Sequence, residues 1–121
     1  TNWQFATAGQ VLLDLLQKLK EMPLTNTSIL NVNVPNVPYQ ELKGVQVTRL
    51  GNRHQAENMV KDKDPFGRTI FWYGKLGPEQ DAGPGTDFHA IANGYVSVTP
   101  LSVDMTDYPA QQSLSAWMAQ R

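Results

Sequence analysis

Near its start the chain changes hydrophobic period, from steps of three and four to strict alternation, and this change restricts the fold more than any other feature. Phe5, Ala8, Leu12, Leu15, Leu19 and Met22 recur at helical spacing, Leu13 and Leu16 widen the stripe, and Gln10, Asp14, Gln17, Lys18 and Glu21 fill the other side. That pattern predicts an amphipathic helix whose apolar face packs on a core or sheet. A partner-binding helix would carry the same stripe, and core packing is the favoured reading. Thr1 or Asn2 can cap its first N–H groups. Pro23 stops it, because proline lacks an N–H and disfavours helix in the residue before it. In Ile29-Leu30-Asn31-Val32-Asn33-Val34-Pro35 the apolar residues then fall on one face and the asparagines on the other, which is strand periodicity. Pro35 and Pro38 end this strand, and residues 45–50 form a second one, entered through Gly44 and left through Gly51-Asn52. A helix leading into such strands predicts the edge of an α/β sheet.

The middle of the chain reads as an excursion. Residues 57–61 and 69–73 are strand-like, and the joining segment 62–68 holds Pro65, Gly67 and two aspartates, which suits a hairpin loop. Its second arm, Ile70-Phe71-Trp72-Tyr73, is more aromatic than a two-stranded hairpin can bury alone, so it is expected to rest on another surface. Residues 74–85 form a shaped loop rich in glycine and proline. Thr86 can cap a short helix over 87–93, stopped at Gly94. Tyr95-Val96-Ser97-Val98-Thr99 is a strand closed by Pro100, and a last helix over 109–120 carries a narrow stripe of Leu114, Trp117 and Met118. A stripe so narrow calls for a surface to dock on. No repeat, low-complexity run or linker divides residues 1–121, which read as one unit.

Composition closes off several functions. Ten basic and eleven acidic residues give a net charge of −1, which offers no basic excess for nucleic acid or anionic lipid. Cysteine is absent, so disulfides and thiol chemistry are excluded and a reducing compartment fits. No apolar run approaches the roughly 20 residues of a membrane span, and nothing at the start resembles a signal peptide; a soluble cytoplasmic protein is expected. The sequence is 40% hydrophobic and 17% charged, a low charged fraction that suits a chain with surface hidden against something else. It opens on Thr1 without an initiator Met and runs almost at once into a helix, as a fragment or processed product would.

Candidate chemistry is thin. Asp62 and Asp64, one residue apart, could hold a hard cation, but the glycine and glutamate of an EF-hand loop are missing and turn formation is favoured. His54 and His89 each lack a second histidine at ligand spacing. Ser97, Ser102 and Ser113 lack the Gly-x-Ser-x-Gly setting of a nucleophile elbow. Gly83-Pro84-Gly85-Thr86-Asp87 precedes a helix start where N–H groups can bind phosphate. It has no P-loop lysine, and Asp87 would repel an anion, so a tight turn feeding the helix is the favoured reading.

Several segments in order resemble the SurE survival-protein family: Leu30-Asn31-Val32-Asn33-Val34-Pro35, Gly44-Val45-Gln46-Val47-Thr48-Arg49, Arg53-His54 with Ala56, Asp64-Pro65 with Gly67-Arg68, Asp81-Ala82-Gly83-Pro84-Gly85-Thr86-Asp87-Phe88, and Gly94-Tyr95-Val96-Ser97-Val98-Thr99-Pro100-Leu101 with Asp104. The resemblance implies the C-terminal portion of a Rossmann-like α/β fold, with an extended hairpin on 57–73 and a terminal helix on 109–120. It implies a parent protein that removes phosphate from nucleoside 5′- or 3′-monophosphates using a divalent metal, magnesium or manganese. It also implies that hairpin and helix are exchanged between subunits to build a homodimer or homotetramer. The family's metal site uses an Asn-Asp-Asp-Gly motif at the protein's N-terminus, with a serine and an asparagine from later loops of that half. None of these is in this sequence, so no catalytic, cofactor-binding or metal residue is assigned to it. Two roles follow: completing the fold of a nucleotidase and walling its site, or acting as a non-catalytic assembly module of the same protein.

Overall fold

The computed structural model describes residues 2–24 and 27–120. In chain order the elements are α1 (Phe5–Leu19), β1 (Ser28–Asn33), a 3-10 turn (Tyr39–Glu41), β2 (Val45–Val47), β3 (Asn52–Arg53), β4 (Val60–Lys63), β5 (Thr69–Trp72), β6 (Glu79–Asp81), α2 (Asp87–Ala92), β7 (Val96–Ser102) and α3 (Tyr108–Met118).

Helix α1 forms where its period predicts, with different ends. The expected cap at Thr1 lies outside the described residues, and Asn2 does not cap. The chain enters through Gln4, whose backbone N–H donates to Asn36 Oδ1 at 2.8 Å and whose carbonyl accepts from Thr7 N–H at 3.0 Å. At the other end the helix stops at Leu19 and leaves Met22 outside it. The Glu21 and Met22 N–H groups turn back onto the Lys18 carbonyl, closing the last turn before Pro23.

Strands β1, β7 and β2 form one sheet in that order, β1 antiparallel and β2 parallel to β7. The register puts Val45, Val47, Val96, Val98, Leu30 and Val32 on the face beneath α1, where Val11, Val96 and Val98 make the buried core with Leu15, Leu30, Val32, Val34 and Leu42 around it. The other face carries Gln46, Thr48, Asn31, Asn33, Ser97 and Thr99 under α2, whose Ala90 is fully buried. The α/β architecture is therefore a sheet between two helices.

Two strand boundaries differ from expectation. Pro100 does not close β7; it pairs with Leu30 inside the strand, which runs on to Ser102. It is tolerated because β2 ends at Val47, opposite Val98, so no neighbour needs the N–H that proline lacks. Strand β2 is three residues rather than six because the chain changes partner. Thr48 N–H still reaches Val98 O at 3.0 Å, but Arg49 N–H bonds Gly85 O at 3.0 Å and Arg49 O accepts from Asp87 N–H at 3.0 Å.

Residues 51–81 make one long two-stranded arm. Its base is β3 paired with β6, so part of the expected loop 74–85 is a strand. Its tip is β4 paired with β5, Val60 opposite Trp72 and Lys63 opposite Thr69. Asp62 and Lys63 belong to the strand, not to the loop, because Asp64 closes the turn: its Oδ1 accepts from the Phe66 and Arg68 N–H groups, each at 2.9 Å. Between base and tip, the His54 N–H to Pro78 O and Glu57 N–H to Lys75 O bonds, both 2.9 Å, hold the limbs together. Here the backbones pass so closely that a Cβ on Gly74 or Gly77 would lie 2.1 Å from the Glu57 or His54 carbonyl oxygen. Gly74→Ala should therefore spread the arm, raising hydrogen exchange at the Glu57 amide by about tenfold or more and leaving the Val98 amide unchanged. Equal rates at Glu57 in both proteins would show that the close approach is not required.

Helix α3 starts at Tyr108 with Asp107 as its cap, Oδ1 accepting from Ala110 N–H at 2.9 Å, and ends at Met118, shorter than the expected 109–120. The exposed surface totals 9947 Å², against about 6,500 Å² for a compact monomer of this mass. The arm and α3 account for much of that excess by standing away from the sheet.

Candidate functional site

The segments that carry the resemblance are scattered over the sequence, and four of them meet on the polar face of the sheet. Thr48 Oγ1 lies 2.8 Å from Ser97 Oγ and 2.6 Å from Thr99 Oγ1, a buried chain of three hydroxyls. These groups satisfy one another, which allows polar residues to sit under α2 without a desolvation penalty. Among the described residues no basic or acidic side chain bonds to them, so they read as a structural polar layer rather than an activated nucleophile.

One step along, Gly83-Pro84-Gly85-Thr86 turns tightly into α2. Thr86 is fully buried; its hydroxyl donates to Gly83 O at 2.8 Å and accepts from His89 N–H at 3.1 Å. This is the expected cap. Asp87 Oδ1 accepts from Gly51 N–H at 2.8 Å and from Phe88 N–H at 2.9 Å, so its charge is turned onto the backbone that starts the arm. The turn reading of this segment therefore holds over the phosphate-binding one.

Arg49 and Asp81 clamp the base of the arm. Arg49 Nη1 bonds Asp81 Oδ2, Nη2 reaches Oδ1 at 3.1 Å, and Asn52 Oδ1 accepts from Asp81 N–H at 3.2 Å. The hydrogen bonds from Arg49 hold the Asp81 carboxyl below its ordinary value, against a smaller opposing effect of desolvation. Arg53 adds a second tie: its guanidinium stacks over the Phe88 ring at 4.8 Å and Nη1 donates to Gly77 O at 3.3 Å. Sequence reading missed both arginines as organisers, since neither partner is near in sequence.

The remaining candidates are not brought together. Asp62 accepts from Trp72 Nε1 at 3.0 Å across the hairpin, and Asp64 accepts from Arg68 Nε at 2.6 Å. The Trp72 indole first, and for Asp64 the Arg68 backbone N–H first, keep these carboxyls below their usual range. His54 is exposed on the arm and His89 half-buried on α2. Ser102 donates to Asp104 O at 3.0 Å and Ser113 to Pro109 O at 3.2 Å, each a local bond. Among the described residues no three His, Asp or Glu side chains gather as a metal site would require. These carboxylates are committed to turns and ion pairs, so the donor set does not fit a divalent metal.

Fold and polar layer thus define an α/β unit, a three-stranded sheet with helices on both faces. The family model of the survival protein SurE matches residues 1–57. The 5′-nucleotidase SurE of Pseudoalteromonas atlantica is 52% identical over 118 residues, 98% of this chain and 48% of the relative. That of Methylococcus capsulatus is 56% identical over 117 residues, 97% of this chain and 47% of the relative. The crystal structure of the SurE protein from Aquifex aeolicus superposes with a TM-score of 0.73 at 37% identity, covering 97% of this chain and 47% of that one. The chain is similar to SurE proteins along nearly its whole length, spans about half the length of the relatives it matches, and is consistent with their C-terminal part.

Thr86→Ala removes the cap and should cost about 1–2 kcal/mol in urea unfolding, with Thr86→Ser retaining most of it. Arg49→Gln should move the Asp81 titration, followed by carboxyl NMR, upward toward 3.8. Because the folded Asp81 value is depressed, its contribution is complete above the unfolded value and is lost as pH falls through the folded one. An Asp81 midpoint that stays put in the variant would remove Arg49 as the cause.

Proposed function

We propose that this chain is the C-terminal portion of a metal-dependent nucleotidase that releases phosphate from nucleoside 5′- or 3′-monophosphates, and that its part is to complete the fold and wall the site. The observation that carries this reading is the match to 5′-nucleotidase SurE relatives over 97–98% of the chain at 52–56% identity. The catalytic residues and the magnesium or manganese ion then belong to the half of the relatives that this chain does not span. No step of the chemistry is assigned to residues here, since no three His, Asp or Glu side chains gather among the described residues. In the parent the expected setting is the cytoplasm; no described helix is long and apolar enough to cross a membrane.

The test is phosphate release from a nucleoside monophosphate with magnesium or manganese. The 121-residue chain should show no turnover above background. A chimera in which it replaces the matched region of the Methylococcus capsulatus relative should hydrolyse at a rate near that relative's. Turnover by the chain alone would put the site in the wrong half.

A second reading is supported by its own observation. Phe71, Trp72 and, at 93% exposure, Tyr73 stand in solvent on the arm, and Leu114, Trp117 and Met118 do so on α3, 66% exposed at Trp117. Apolar surfaces displayed on two extensions suit an assembly module that joins a homodimer or homotetramer by exchange of arm and helix. Deleting residues 58–71 from the chimera should reduce its mass in solution; an unchanged oligomer would sink the idea. Trp117→Ala should cost under about 0.5 kcal/mol in this chain and roughly 3–5 kcal/mol in an assembly that buries the ring.

A further inference from the structure

Helix α2 ends on Asn93-Gly94, and Asn93 is the only asparagine of the chain that a glycine follows. Every other asparagine precedes Trp, Thr, Val, Arg or Met. The backbone nitrogen of one residue can attack the side-chain amide carbon of the residue before it. A side chain on the attacking residue crowds that approach, and glycine has none. Asn93 is also exposed, so water reaches its amide.

In the closed helix both reacting groups are occupied. Gly94 N–H, the nucleophile, donates to Ile91 O at 3.0 Å, and Asn93 Nδ2, the leaving group, donates to His89 O at 2.8 Å. Tyr95 N–H reaches Ala90 O at 2.9 Å, and Gly94 takes the left-handed φ of +83° that completes this C-terminal turn. The turn is nevertheless thinly held. Helix α2 has six residues, and all of these bonds run back into its own last turn. Such an end opens locally at a cost well below that of unfolding the sheet.

We propose that Asn93 is a site of spontaneous deamidation, gated by opening of the last turn of α2 and independent of any nucleotidase activity. When the turn opens, the Gly94 nitrogen gives its proton to solvent and forms a bond to Asn93 Cγ. The Cγ–Nδ2 bond breaks, and Nδ2 leaves as ammonia with a proton taken from solvent. Water then hydrolyses the cyclic imide. Attack at Cγ leaves an aspartate; attack at the Asn93 backbone carbonyl leaves an isoaspartate, whose main chain runs through the former side chain. Aspartate loses the donor to His89 O and puts a negative charge at a helix C-terminus, where the dipole opposes it. Isoaspartate lengthens the main chain just before β7. There Lys43 N–H holds Gly94 O at 3.0 Å and Val96 N–H holds Gly44 O at 2.9 Å. A covalent change at an exposed turn is thereby passed to the central strand.

The test is peptide mass spectrometry of the 121-residue chain aged in buffer and in denaturing urea, with isoaspartate identified by fragmentation. In buffer the mass gain of deamidation should fall on the peptide that holds Asn93 and leave the other asparagines unchanged. In urea the same peptide should convert roughly tenfold faster or more, because the gate is gone. Thr86→Ala, which weakens α2 from its other end, should speed conversion in buffer, and Thr86→Ser should restore the slow rate. Asn93→Gln should abolish the early mass gain. An Asn93 peptide still unchanged in buffer when the urea sample has fully converted would overturn the proposal, as would conversion spread evenly over all the asparagines. Equal rates in buffer and urea would overturn the gating by α2. The comparison of buffer with urea uses the natural chain, so it decides the matter even where a variant fails to fold.

Discussion

Strand β7 holds the described fold together. It is the middle strand of the sheet, with β1 on one side and β2 on the other. Its alternation serves two environments at once. Val96 and Val98 are pressed into the core under α1, while Ser97 and Thr99 on the opposite face are buried with Thr48. An apolar layer and a satisfied polar layer lie back to back across one strand, and the positions of α1, α2 and the arm follow from it.

The arm depends on what happens where β2 leaves this sheet. Thr48 makes the last bond to β7, and Arg49 passes to the turn before α2 through its backbone and to Asp81 through its side chain. One residue therefore connects the sheet, the helix start and the base of the arm. The pair is exposed to solvent, so its energetic weight is modest. Its value is geometric: two parallel bonds from a planar guanidinium set the direction in which residues 51–81 depart.

An isolated 13.5 kDa chain with this much surface is unusual. The exposed apolar groups include a stripe on α1, an aromatic cluster on the arm and a narrow stripe on α3, with others such as Val47, Phe66 and Met105 between them. Contiguous apolar surface of this kind marks places where further protein surface or a ligand can pack. Several aspartates are committed within the chain: Asp64 closes a turn, Asp107 caps α3 and Asp81 pairs with Arg49.

The sequence by itself determined the local elements. The period of residues 5–19, the alternation of 29–34 and the Thr86 cap with its following helix are short-range facts, encoded where they act, and each appears close to its expected place. The family was legible for a related reason, because segments of fixed identity occur in fixed order. Tertiary structure decided the rest. Glu79–Asp81 is a strand only because β3 lies beside it, Pro100 stays within β7 only because β2 has already ended, and Arg49 finds Asp81 across 32 positions. Pairing of this kind is set by which backbone groups remain unpaired when distant segments meet, and no local pattern of residues records it.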